Sequence, residues 1–170
     1  MRVTSRHKLV MGIFPNTKGF AFALFEGSLA PVDWAITRIR SGEKNRDSVA
    51  RIARLFGHYQ PDVVVLQDMS IDGTRRSARI TQLNETIAVL AESQNIAIAK
   101  FTREHVRKAF SNQGIITRHA MAETIAAQIP MLRRFVPPQR KIWETEDARL
   151  APFEAVGLIV AFYKSAANEA

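Results

Sequence analysis

The sequence predicts one α/β domain, a mixed sheet with helices on both faces, and three observations predict it. The first part of the chain holds three consecutive β-type runs divided by turn residues. The run Val63-Val64-Val65-Leu66 is apolar on both faces, as a buried parallel strand is. From Asp47 onward, stretches with helical spacing alternate with short β-type runs.

Taken in order, residues 9–14, 20–26 and 32–39 are the three opening strands. Asn16 and Gly19 mark the first turn, and Gly27-Ser28 with Pro31 the second. Within the second strand Phe20, Phe22 and Leu24 alternate with Ala21 and Ala23, which predicts a heavy face and a light one. Val49, Ile52, Ala53 and Phe56 recur at helical spacing and predict a helix starting near Asp47-Ser48 and closing within residues 57–60. Pro61-Asp62 leads into the fourth strand. A polar loop over residues 70–76 precedes a second helix with Ile80, Leu83, Ile87, Leu90 and Ala91 on one side. Ile96-Ala97-Ile98-Ala99 is the fifth strand. Thr102 is placed to cap a helix over residues 103–110, Gly114 breaks the chain, and Thr117 is placed to cap Arg118–Gln128. Residues 130–141 form a basic, proline-bearing connection, and a last helix runs over residues 153–166.

The 170 residues fit one domain with a full core, here residues 9–166 after a basic arm at residues 1–8. That arm lacks the apolar stretch of a signal peptide, and no apolar run approaches the ~20 residues of a membrane span. No membrane partner is expected, and a cytoplasmic location is the default. With no cysteine there is no disulfide or thiolate metal site, and the four histidines lack ligand spacing. A formal charge of +8 and a pI near 10.4 suit a polyanionic partner, because neutralising phosphates releases counterions; a solubility charge is the plain alternative.

Four segments, in order, carry a resemblance. They are Gly12-Ile13-Phe14-Pro15 with Gly19-Phe20-Ala21; residues 61–68, Pro-Asp-Val-Val-Val-Leu-Gln-Asp; Thr102 with Val106-Arg107, Gly114 and Arg118; and residues 143–149 continuing to Phe153-Glu154-Ala155-Val156. Together they resemble the RuvC family of Holliday-junction resolvases and its ribonuclease H-like relatives, over roughly residues 9–163. The resemblance implies a ribonuclease H-like mixed five-stranded sheet, DNA binding, a homodimer and a two-metal nuclease centre.

Two-metal hydrolysis needs carboxylates holding two divalent ions ~3.5–4 Å apart. By resemblance the four positions are Phe14, Gln67, Ala151 and Glu154, of which only Glu154 is acidic. Phe14 offers no lone pair, and Gln67 is a neutral oxygen ligand at best. Asp68 follows Gln67 but points to the opposite strand face. Glu146 and Asp147, with Thr145 as cap, read as first-turn acids of a helix. No metal is expected; Mg²⁺ would enter only through a rearranged site using Asp68, Glu154 and Asp147.

Three basic groups fit phosphate contact: Arg75, Arg76 and Arg79; Arg103, Arg107, Lys108 and Arg118; and Arg133, Arg134, Arg140 and Lys141. Trp34 and Trp143 are read as core aromatics, with base stacking as the alternative, and His58, His105 and His119 as surface residues. The leading expectation is a RuvC-like domain that binds branched or structured DNA with its nuclease centre degenerated. The alternatives are an active crossover-junction endonuclease with relocated carboxylates, and a protein-interaction module on the same fold. The latter would use an apolar face around Phe153, Val156 and Phe162.

Overall fold

The computed structural model describes residues 8–70, 77–141, 143–144 and 147–169. Strands β1 (Val10–Asn16), β2 (Gly19–Phe25) and β3 (Pro31–Arg38) form the expected meander. They are followed by α1 (Lys44–Tyr59), β4 (Val63–Gln67), α2 (Ala78–Ser93) and β5 (Ala97–Phe101). The chain closes with α3 (Arg103–Lys108), α4 (Arg118–Gln128), a 3-10 segment (Pro130–Phe135) and α5 (Ala151–Asn168). The sheet order is β3-β2-β1-β4-β5, with β1 antiparallel to β2 and parallel to β4. β1 thus lies at the centre beside β4, as the resemblance implies.

Strand alternation divides the core. Met11, Ile13, Phe20, Phe22, Leu24, Val64 and Leu66 pack under α1 and α2. Val10, Phe14, Ala21, Ala23, Phe25, Val63 and Val65 face α4 and α5. The heavy and light faces of β2 therefore meet different helix layers. The light face exists because α5 approaches closely. A Cβ on Gly12 would lie 2.3 Å from the Ala155 carbonyl oxygen, so only glycine lets α5 settle on β1. In the Gly12-Ile13-x-Pro15 motif the glycine serves packing.

The caps at Thr102 and Thr117 form as expected, their hydroxyls accepting from the backbone N–H of His105 and Ala120. Helix α1 begins earlier than expected, at Lys44, and α3 stops at Lys108 rather than at residue 110. Helix α5 begins at Ala151 with Pro152 in its first turn, where a missing N–H costs nothing.

Three readings are corrected here. Residues 148–168 do reach the length and hydropathy of a spanning helix, although 67% of that stretch is buried, as in a core helix. Phe153 and Val156 are buried rather than part of a free apolar face. Trp143 is 80% exposed rather than in the core, with the Lys141 ammonium 5.4 Å from its ring centre.

Candidate functional site

The parallel strands β1 and β4 end side by side, and their carboxyl ends are where open α/β sheets place ligands. Phe14 and Gln67 sit there, both buried, as do Ala151 and Glu154 in the first turn of α5. The four positions expected from the resemblance are held at this end of the fold by β1, β4 and α5. The side chains fill it with different chemistry.

Glu154 is 7% exposed and is gripped by two arginines. From α3, Arg107 donates to both carboxylate oxygens, at 2.8 Å to Oε1 and 3.3 Å to Oε2. From the first position of α4, Arg118 donates through Nε to Oε1 at 2.9 Å. Its guanidinium carbon also stands 6.0 Å from the centre of the Phe14 ring, which ties Phe14 to Glu154. A buried carboxylate is stable only when its lost hydration is replaced, and three charge-assisted hydrogen bonds from two arginines replace it. The trio therefore pins three helices together.

Arg107, read as a phosphate contact, is corrected by this geometry: it is 4% exposed and directed into the core. Arg79 is likewise structural. It donates to Asn45 Oδ1 at 3.0 Å and to the Asn16 carbonyl at 3.2 Å, joining the start of α2 to α1 and to the end of β1. Arg103 and Lys108 remain at the surface, Lys108 beside Glu104 at 3.1 Å. Arg75 and Arg76 lie outside the described residues, as do Thr145 and Glu146. His119, read as a surface residue, is half-buried between Glu123 and the Pro137 carbonyl.

The acids of the relocated-site alternative are each engaged locally. Asp68 accepts from the hydroxyl and backbone N–H of Ser70, which hold its carboxyl below the usual aspartate range. Asp147 caps the turn Ala148–Leu150 and accepts from Arg149 at 2.6 Å, which lowers its carboxyl likewise. Among the described residues no three acidic or histidine side chains converge as metal ligands. The donor set at the strand ends does not fit a divalent pair. Phe14 and Ala151 have no side-chain donor atom, and the Glu154 oxygens already accept from guanidinium groups.

For Glu154, burial pushes the carboxyl up, but the hydrogen bonds and charges of Arg107 and Arg118 outweigh it and hold the group below the usual glutamate range. A depressed folded value stabilises above the unfolded pKa, about 4.3, and that contribution is lost as pH falls through the folded value. The melting temperature of the native protein should therefore fall as the pH is lowered past ~4. Glu154→Gln should show a smaller fall over the same range, measured by thermal melts across pH. Equal slopes would show that the trio contributes nothing to acid stability.

The sequence reading missed the pairing of Arg107 and Arg118 with Glu154. One signal was present: the two basic residues of the third motif segment face a site that retains a single acid.

No protein-family model matches the chain, and no curated protein does. Solved structures do. RuvC of Thermus thermophilus in complex with Holliday junction substrate superposes with a TM-score of 0.69 at 13% identity, over 96% of this chain and 97% of that one. The yeast mitochondrial Holliday junction resolvase gives 0.58 at 13%, over 96% and 84%. The fowlpox virus resolvase gives 0.56 at 13%, over 93% and 99%. These likenesses extend over nearly the whole length of the described fold. The chain has the fold of RuvC and other Holliday junction resolvases, a ribonuclease H-like mixed five-stranded sheet with helices on both faces.

Proposed function

We propose that this chain binds branched or structured DNA and does not hydrolyse it by the two-metal route. One observation carries the reading. Where a metal pair would need carboxylates, Glu154 is locked between Arg107 and Arg118, and Arg118 also faces the Phe14 ring. Two guanidinium groups occupy the one acid that remains, so the scaffold stands without a divalent ion. The fold, shared with a RuvC that was solved on a Holliday junction, and the charge of +8 support a DNA partner.

The test is binding and cleavage of a four-way junction. Affinity should fall steeply with salt, with a log–log slope of about −0.9 per phosphate contact, and binding should need no divalent ion, persisting in EDTA. Replacing Arg75, Arg76 and Lys108 by Ala should flatten the slope by up to about 2.7, independently of base sequence. No cleavage is expected in Mg²⁺ or Mn²⁺. Metal-dependent cutting abolished by Asp68→Ala would instead establish the relocated-site nuclease, and absence of DNA binding at low salt would leave the protein-interaction module.

A further inference from the structure

On the edge of the sheet opposite β5, a groove of about 420 Å³ opens between β3, the 3-10 segment and the start of α5. Its walls include Trp34, Ile36, Phe135 and Phe153, and Arg134 and Arg149 stand at it. The size falls in the range of small-molecule sites, roughly 300–1,000 Å³. Trp34 and Phe135 meet edge-to-face at 5.5 Å, and the Arg134 guanidinium lies 4.9 Å from the Phe135 ring centre. Phe135 is 39% exposed, large for an aromatic that has a groove available to it.

The surrounding charge is net basic: residues 133–149 carry five Arg and Lys against the three acids Glu144, Glu146 and Asp147. Chain leaves the groove at Val136 and returns at Arg149, and between them it carries Arg140, Lys141 and the exposed Trp143. Asp147 is satisfied by Arg149, and the Glu144 carboxylate accepts from the Lys141 backbone N–H. Arg133, Arg134, Arg140 and Lys141 form no ion pair among the described residues. Aromatic faces beside unpaired cations match a ligand that is itself an aromatic ring joined to an anion. A nucleotide is that ligand, the base stacking and the phosphate taken by arginine.

We propose that this groove docks an unpaired nucleotide of the bound nucleic acid, its base against Trp34 and Phe135 and its phosphate on Arg134. The proposal rests on the nucleic-acid reading above, and its chemistry distinguishes single-stranded from paired DNA. A base held in a duplex cannot enter the groove, whereas one unstacked at a branch point or in a single strand can.

The chain has two tryptophans, one in the groove wall and one on the adjoining connection, so their emission reports occupancy directly. Three ligands are titrated against the full chain: oligothymidylate, an abasic oligomer of the same length, and poly-aspartate. Oligothymidylate should quench the emission and the other two should not. Phe135→Leu, which keeps apolar volume but removes the aromatic face, should weaken oligothymidylate binding by about fivefold or more, the scale of one base–aromatic stack. Arg134→Ala, at an exposed side chain, should weaken it as well. Equal binding of the abasic oligomer, or unchanged binding by both variants, overturns the proposal. Quenching by poly-aspartate as strong as by oligothymidylate also overturns it and marks an acidic-peptide site. Junction affinity measured in the same buffer separates the two readings. If it persists while the groove result is negative, only the groove fails; if both are lost, the nucleic-acid reading fails too.

Discussion

Glu154→Ala is expected to lower stability by about 3–5 kcal/mol, the cost of leaving a buried charge without its partner. Arg107 is 4% exposed and would retain its charge with only Met121 Sδ, at 2.9 Å, as a described side-chain contact. In a domain of this size each kcal/mol is worth about 2–4 °C, so melting should fall by roughly 6–20 °C. The instructive control removes the whole trio. Arg107→Met, Glu154→Leu and Arg118→Met together should be nearly neutral or stabilising by up to ~4 kcal/mol, because no buried charge then needs compensation. Urea unfolding of both variants measures the difference. A loss below ~1 kcal/mol in Glu154→Ala would place the trio with exposed ion pairs, whose contribution is small.

Gly12→Ala should be comparably damaging for a different reason. The new Cβ would fall 2.3 Å from the Ala155 carbonyl oxygen and 3.1 Å from Ile159 Cγ1. The carbonyl is backbone in the second turn of α5, so relief requires moving the helix off the sheet rather than turning a rotamer. Overpacking of that kind costs about 1–3 kcal/mol, and an immovable partner puts this case at the upper end. Helix movement would also shift Glu154 away from Arg107. Gly12→Ala and Glu154→Ala should therefore be non-additive, with coupling of about 0.5–3 kcal/mol in a double-mutant cycle. A Gly12→Ala protein that melts with the native one would mean that α5 does not sit where the packing puts it.

Most of the fold was legible because its signals are local. Thr102 and Thr117 announce their helices through hydroxyls that accept from the third residue on, and Arg118–Gln128 has the bounds that its cap predicts. Alternation in β2 gave the two faces of the sheet. Helix α1 was read late because its start at Lys44 follows Glu43, which makes no side-chain cap bond. The side-chain pairing at this end of the sheet was not legible. Phe14 and Gln67 fall at the strand ends as the motif order implies. The pairing of Arg107 and Arg118 with Glu154 spans 47 and 36 positions and leaves no periodic trace. The same two residues read as DNA-facing when taken one at a time. Trp143 was misplaced because an apolar residue type alone does not specify burial; the chain around it is polar and charged.

The position of α5 also sets a timetable. The helix that covers Val10, Phe14, Ala21, Ala23 and Phe25 is made after every strand of the sheet, starting at Ala151. At ~5–20 residues per second, ribosomal synthesis leaves roughly 6–25 s between completing β2 and beginning α5. Throughout that interval the light face of the opening hairpin has no lid, because its cover has not been translated. The sheet must wait with two phenylalanines showing, and for that time the nascent chain carries the exposed apolar surface that makes folding intermediates prone to aggregate.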